Sequence, residues 1–420
     1  MAAPARDPRA TIDAVWRIES PRLIAGLARM VRDVGVAEDL AQDALVRALE
    51  TWGRDGVPDN PGAWLMATGR RLAIDRLRRA DRLARKRDEL EWLASSRAAT
   101  HDDAATGVDD DLLSLMFTCC HPVLSPRAQT TLTLRLLGGL STAEIARAHL
   151  TSEATIAQRV SRAKRTLAEA DVGFAPPAPE DVPARLAAVQ QVMYLIFNEG
   201  YTATAGDDWL RPDLCFDALR LARTLAALTP HEPESHGLVA LLSLQASRLR
   251  ARTAPDGTPI LLLDQDRTRW DRTLITSGLQ ALRRAERCDA PGGPYVAQAA
   301  IAACHARAPT AEATDWVRIA ALYEALAHLT PSPVVEINRA VAVSYAFGPE
   351  PALAIADALL ATELLATSHL LPAVRGDLLA RVDRPAEAAA ELRRAASLTR
   401  NARERDLLLA RAAALATQDD

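Results

Sequence analysis

Two stretches of this 420-residue chain carry side chains whose types and spacing suit contact with a polyanion. In "STAEIARAHLTSEATIAQRVSRAKRTL", residues 141–167, the second of two short helical segments turns Thr155, Gln158, Arg159, Arg162 and Arg165 away from its apolar side. Arginine and glutamine there are suited to paired contacts with base edges in a major groove or with phosphate oxygens. Upstream, nine basic residues stand between Arg70 and Arg87 against two acidic ones, Asp75 and Asp81, a local cationic rod. Arg70, Arg71, Arg76, Arg78 and Arg79 are expected to reach outward, while Leu65, Leu72 and Leu77 hold the helix to a core. Trp64 sits beside the start of the rod, where a ring could stack on an unpaired base; taken alone it reads more simply as a core ring.

Apolar stripes and caps must position these groups. Ile156, Val160, Ala163 and Leu167 recur along one helical face, which fixes the opposite face as the polar one. Ser152 is placed to cap that helix and Glu153 to complement its N-terminal dipole. In the preceding segment Ile145 and Ala146 face inward beside Leu140, and small Ala143 lets two helices approach, so the pair reads as a helix-turn-helix. Before the rod, "VAEDLAQDALVRALETW" puts Leu40, Ala44, Ala48 and Trp52 on one stripe and Glu38, Asp39, Gln42, Asp43 and Glu50 opposite. An acidic face next to a basic helix suggests a protein partner, against the plainer alternative of a solvated surface.

The chain as a whole is 49% hydrophobic but only 4% aromatic, and it is rich in Ala, Leu and Arg with few β-branched runs, which predicts an all-α protein. Its formal net charge of -4 excludes wholesale attraction to polyanions, so any such contact must be local. Five scattered cysteines do not form a secreted disulfide framework, and no apolar signal core or membrane-length apolar run occurs, which points to the cytoplasm. Breaks in helical periodicity divide the chain into residues 10–94, a linker at 95–110, residues 111–170, a proline-rich linker at 171–183 and residues 184–416. The first two of these read as small helical bodies on a flexible tether.

In the last segment Leu228-Thr229, Leu329-Thr330 and Leu398-Thr399 each end an Ala-rich helix, at spacings close to three and two multiples of the ~34-residue tetratricopeptide (TPR) period. Trp316, Ile319, Ala320 and Tyr323 fit the first-helix pattern of that repeat. Residues 252–271 interrupt the helices with a Pro-Asp-Gly turn and read as a loop or small hairpin.

Other chemistry is weakly supported. Cys119, Cys120 and His121 are consecutive and lack zinc-ligand spacing, so no metal is expected. Glu199, Asp264 and Asp266, with Asp271 as a helper, could be paired carboxylates for acid–base work, but ion pairing to Arg267, Arg269 and Arg272 is the simpler expectation. No phosphate-cradling or nucleophile-elbow motif occurs, and no cofactor is implied. Two rivals to a DNA-reading role remain at this level: a hydrolase-like enzyme in the C-terminal half fused to a DNA-binding module, and a repeat scaffold for proteins.

Taken in order, these pieces resemble a sigma factor of the extracytoplasmic-function (ECF) type within the sigma-70 superfamily, over residues 10–170. "AEDLAQDALVRALETW" is similar to the helix that docks on core RNA polymerase, and "AWLMATGRRLAIDRLRR" to the helix that reads and melts the minus-ten promoter element. Residues 111–170 are similar to the domain that reads the minus-thirty-five element. The resemblance implies polymerase contacts for Asp39, Gln42 and Asp43, downstream-element roles for Trp64, Arg70, Arg76, Arg78 and Arg79, and upstream-element roles for Thr155, Gln158, Arg159 and Arg162. Arg71 stands where the family carries Asn, which leaves the base preference at the melted position open. "QQVMYLIFNEGY", "LLSLQASRLRAR" and "LLLDQDRTRWD" resemble the subgroup with a TPR-like C-terminal extension. That resemblance implies a non-enzymatic protein whose partners are core RNA polymerase, promoter DNA and a small DGPF-motif protein, with no membrane partner of the ordinary anti-sigma kind.

Overall fold

Among the described residues of the computed structural model every element longer than three residues is an α-helix, as the composition predicts. The structure describes residues 8–91, 108–149, 151–202, 210–362, 364–399 and 401–416. Among them are eighteen α-helices, three short 3-10 turns and a single isolated β-bridge, Thr253 to Pro259. The linker expected at 95–110 lies almost wholly outside the described residues. The helices fall into two compact units, Met1–Val192 and Met193–Asp420.

The first unit begins with α1 (Pro8–Val31), α2 (Val34–Asp55) and α3 (Pro61–Glu91). Asp33 caps α2 by accepting from the Val36 amide at 2.8 Å, and Asn60 caps α3 by accepting from the Ala63 amide at 3.0 Å. Leu23, Ile24 and Leu27 of α1 meet Leu40, Ala44 and Trp52 of α2 and Leu65 and Ala73 of α3 in the core. A side chain at Gly69 would stand 3.0 Å from Leu27 and 3.1 Å from Leu23, so glycine sets how closely α3 approaches α1. Leu72 is half-buried, but Leu77 is 39% exposed and Ile74 lies outward beside it. The expectation that Leu77 anchors the rod is therefore corrected: among the described side chains of α3 Ala73 is the last that is buried, and those from Ile74 to Arg79 are exposed.

Next come α4 (Val108–Cys119), α5 (Pro126–Leu136), α6 (Thr142–Ala148) and α7 (Glu153–Glu169). Of the two helix caps in the helix-turn-helix, the sequence suggests the one at Ser152. Ser141 and Glu144 form a reciprocal capping box on α6, and Ser152 accepts from the Thr155 amide at the start of α7. Ile145 and Ala146 of α6 and Ile156, Ala163 and Leu167 of α7 are buried, while Val160 is half-buried. Cys119 and Cys120 are core residues beneath them; burial pushes both thiols up, that of Cys120 to about 12, so they are protonated at neutral pH.

These two helical groups are not separate bodies. Helix α4 packs on α1, and the α5–α6 turn lies against it too. At that turn Gly139 has a φ of +69°, and a Cβ there would stand 3.2 Å from the Arg17 Cα and the Ser20 hydroxyl. The expectation of two freely tethered bodies is thus corrected: both belong to one unit. The proline-rich stretch ends at the start of α8 (Val182–Tyr201), whose second residue is Pro183 and within which the boundary between the units falls.

The second unit continues with α9 (Pro212–Leu228), α10 (Pro233–Ala246), α11 (Arg272–Ala285), α12 (Pro294–Arg307), α13 (Trp316–Leu329), α14 (Pro333–Ala346), α15 (Pro349–Leu360), α16 (Leu370–Arg381), α17 (Pro385–Leu398) and α18 (Ala402–Ala416). From α9 onward each helix packs against the next, the nearest-neighbour stacking of a helical-repeat protein. Helices α13, α15 and α17 begin at 316, 349 and 385, intervals near the ~34-residue repeat period. Leu228, Leu329 and Leu398 do end helices, and the Thr that follows each donates its amide to the carbonyl four residues back. Ile319 and Ala320 are buried and Trp316 and Tyr323 half-buried, as the repeat pattern requires. Residues 252–260 make a small hairpin closed by Ala254 N donating to Thr258 O and Ile260 N to Arg252 O, with Gly257 at φ +84°.

Replacing Gly139 by Ala is expected to lower stability by about 1–3 kcal/mol, because the side chain is strained at positive φ and meets the α1 backbone. Urea unfolding measured by circular dichroism should show a lower midpoint at unchanged slope.

Candidate nucleic-acid interface

The polar face of α7 closes one side of a concavity of about 340 Å³. Thr155, Gln158, Arg159 and Arg162 line it from α7, and Ser125 and Arg127 from the start of α5. Thr155, Gln158 and Arg162 are exposed. Arg159 is half-buried and its Nη1 donates to the Thr131 hydroxyl at 3.3 Å, which fixes the guanidinium against α5. Arg165 stands apart from the group; its Nε lies 3.6 Å from Glu169 on the solvated side of the helix. Sequence inspection passed over Arg127. Its signal is "SPR", where Ser125 caps and Pro126 opens α5, placing Arg127 in the first turn beside α7.

Along α3, Arg70, Arg71, Arg76, Arg78 and Arg79 are all exposed, and among the described residues no carboxylate lies within ion-pair distance of any of them. At about 100° per residue Arg71 and Arg78 share a face, with Arg70 and Arg76 to either side. Among the described side chains beyond Ala73, all exposed, Arg76, Arg78, Arg79 and Arg82 outweigh the single carboxylate of Asp75. Trp64 is half-buried, its ring edge-on to buried Trp52 with centroids 5.3 Å apart. The pair fastens the base of the rod to α2 and leaves part of the Trp64 ring open.

On α2, Asp39 and Asp43 are exposed and Gln42 half-buried. Val46 and Leu49, also exposed, continue the same face, a mixed acidic and apolar surface of the kind that docks on another protein. Those two aliphatic positions are absent from the acidic face inferred from sequence, because a search for charge passes over them.

The comparisons with known proteins agree with this layout. The sigma-70 region 2 model matches residues 16–83, the sigma-70 region 4 model residues 114–167, and a family of unknown function (DUF6596) residues 185–286. A probable ECF RNA polymerase sigma factor, SigI of Mycobacterium tuberculosis, is 29% identical over 38% of this chain and 56% of its own length. The ECF RNA polymerase sigma factor SigK of Mycobacterium ulcerans is 28% identical over 35% of this chain and 78% of its own. The chain belongs to the ECF sigma factors.

An uncharacterized protein of Rhizobium meliloti is 45% identical over 94% of this sigma factor and 93% of its own length, so the extension after region 4 is shared with it. No solved structure matches. The sigma family is non-enzymatic. Among the described residues no helix is long and apolar enough to cross a membrane.

In this sigma factor regions 2 and 4 are joined by ion pairs. Glu38, expected on the exposed acidic face of α2, is 4% exposed, and that reading is corrected. Its Oε1 accepts from Arg135 Nε at 2.8 Å, and its Oε2 lies 2.6 Å from the Lys164 ammonium on α7. Lys164 also lies 3.6 Å from Asp39. Arg29 of α1 pairs with Asp111 of α4 at 3.1 Å, and Arg17 pairs with Glu144 of α6.

The carboxylates of the extension are occupied differently from the expectation. Glu199 pairs with Arg211, Asp266 accepts from the Thr268 amide and hydroxyl, and Asp271 caps α11 through the Thr273 and Leu274 amides. Arg267, their expected partner, donates instead to backbone carbonyls and a hydroxyl.

Glu38→Gln would leave Arg135 and Lys164 facing a neutral amide in a largely dry site. The variant is expected to lose about 1–3 kcal/mol of stability, and hydrogen exchange should show faster opening in α5 and α7 than in α1 and α3.

Proposed function

We propose that this sigma factor directs core RNA polymerase to promoters through three surfaces of its first unit, and that it does so in the cytoplasm. The α2 face of Asp39, Gln42 and Asp43, extended by Val46 and Leu49, docks on polymerase. The α3 rod presents Arg70, Arg71, Arg76, Arg78 and Arg79 to the minus-ten element as it melts, with Trp64 held at its base. Helix α7 enters the major groove of the minus-thirty-five element with Thr155, Gln158, Arg159 and Arg162, joined by Arg127. Arg165 serves as a phosphate contact, since its surface pair with Glu169 is weak and easily exchanged. The observation that carries the reading is the convergence of Thr155, Gln158, Arg159 and Arg162 on one concave, cation-lined surface.

The ion-paired form of the unit is, in this reading, a resting form. Elements named for positions ten and thirty-five upstream of the start lie about 25 base pairs, roughly 85 Å, apart along B-DNA. Through the Glu38–Lys164 pair, the fifteen residues of α2 from Glu38 to Trp52, the Trp52–Trp64 contact and the stretch of α3 from Trp64 to Arg79, the Cα atoms of Arg162 and Arg79 can be no more than about 75 Å apart at ~1.5 Å of rise per residue. Simultaneous contact with both elements therefore requires the Glu38 pairs to part, and polymerase binding at neighbouring Asp39 is placed to part them. The second unit modulates this activity, with a small DGPF-motif protein as its partner; that assignment rests on the subgroup resemblance.

Run-off transcription with purified core polymerase and the full chain tests the reading. Arg162→Ala is expected to cost about 1–3 kcal/mol of promoter affinity and to reduce transcript most at moderate salt. Undiminished transcription would remove α7 from the interface. A full chain that supports no promoter-specific transcript at any salt would overturn the function itself.

A further inference from the structure

The second unit contains two guanidinium groups, one half-buried (Arg248) and one buried (Arg267), with no carboxylate within ion-pair distance among the described residues. Arg248 follows α10. Its Nη2 donates to the Gln245 side chain, and its guanidinium carbon lies 5.8 Å from the ring centroids of both Tyr201 and Trp270. Arg267 is 8% exposed and commits its donors to His305 O at 2.7 Å, Ala308 O at 2.9 Å and the Thr314 hydroxyl at 3.1 Å. The two Nη atoms of Arg267 thus hold the 252–271 loop to α12 and the start of α13, its Nε is buried without a partner, and the residue does not line the cavity described next. Arg248 has no such use. A buried cation without an anion is unfavourable, and arginine cannot relieve it by giving up its proton.

Arg248 opens onto a cavity of about 340 Å³ between α10, α12, α13 and α14, within the size range of small-molecule sites. Leu241, Ile301 and Leu326 give it an aliphatic wall, and Tyr323 an aromatic one. His305 also lines it; this histidine is 8% exposed, and its Nδ1 is buried without a hydrogen-bond partner. Burial, and then the two guanidinium groups, hold the imidazole down to about 3, so at neutral pH it offers a hydrogen bond and no charge. Tyr194 and Gln298 are already joined, hydroxyl to amide oxygen, at 3.3 Å. The mouth lies at Val334 and Asn338, both exposed.

We infer that this cavity is a binding site for a small organic anion, a carboxylate on an apolar or aromatic body, with Arg248 receiving the carboxylate and His305 Nδ1 a further polar atom. One available guanidinium fork matches a monoanionic carboxylate in geometry and charge. A phosphate dianion would call for more cationic donors than the cavity offers once Arg267 is engaged, and the aliphatic wall would give it nothing to fill. The site lies in the extension, whose role the sigma-family match leaves unassigned.

Calorimetric titration of the full chain with 2-naphthoate, its neutral isostere 2-naphthamide and inorganic phosphate tests the assignment. The expected result is one-to-one binding of 2-naphthoate with a submillimolar Kd, 2-naphthamide weaker by about tenfold or more, and no binding of phosphate. Arg248→Gln should weaken 2-naphthoate by about tenfold while leaving 2-naphthamide unchanged. Asn338→Phe, an exposed change at the mouth that does not depend on Arg248 for folding, should weaken both. The inference is overturned by absence of 2-naphthoate binding up to about 5 mM, by equal affinity for acid and amide, by phosphate competing with 2-naphthoate, or by binding that survives Asn338→Phe. Binding is read directly, so the outcome is independent of promoter activity.

Discussion

The Glu38 carboxylate, almost wholly withdrawn from water between the Arg135 guanidinium and the Lys164 ammonium, is the contact on which the arrangement of the first unit turns. Desolvating a carboxylate offsets most of the Coulomb attraction that two nearby cations provide, so such a cluster adds little net stability. What it adds is selectivity: the carboxylate is satisfied only when α5 and α7 are seated against α2. Gly139 makes the seating sterically possible at the other end, where the turn between α5 and α6 approaches the α1 backbone. Since α2 is also the proposed polymerase-docking helix, closure and docking draw on neighbouring residues, Glu38 and Asp39. In the proposed function a single turn of helix thereby couples partner binding to the separation of the two proposed DNA-reading surfaces.

Arginine serves four different ends in the chain, and solvent decides which. On α3 and α7 it is exposed, keeps its hydration and remains available to a polyanion. At Arg135, Arg29 and Arg17 it meets a carboxylate across the unit and locks helices together. At Arg267 it satisfies carbonyls inside a loop, and at Arg248 it borders an empty space. The small share of lysine leaves guanidinium groups to fill all of these positions, so arginine content by itself says nothing of nucleic-acid binding; exposure and the absence of a carboxylate neighbour do.

Helix positions, caps and the repeat period were legible in the sequence because each depends on residues a few places apart. Ser141 with Glu144, Ser152 with Thr155 and the Leu-Thr helix ends are local devices, and the structure contains them where the spacing requires. Glu38 was misread for the opposite reason: its partners are about a hundred residues away, and nothing in its own helix distinguishes it from Asp39. Leu77 was misread because helical periodicity reports a stripe without reporting whether anything covers it. The polar face of α7 was predicted as five residues, of which the fold brings four together with Arg127 and turns Arg165 aside. That separation follows from the placement of α5, again a tertiary effect. The carboxylates near the 252–271 loop were expected to meet the arginines beside them, yet they cap backbone amides, which lie closer and need no side-chain ordering.

The Leu-Thr endings carry a consequence for how the extension can change over evolutionary time. Each of those helices closes its last turn through the threonine amide, which donates to the carbonyl four residues back, while other atoms of Thr229 and Thr399 bond to the segment that follows. Gain or loss of an entire pair of helices would keep that amide closure in the ends that remain, whereas gain or loss of a few residues would shift every buried alanine out of register with its neighbour. Lineages carrying this architecture should differ in length by whole hairpins, with drift in between confined to the turns.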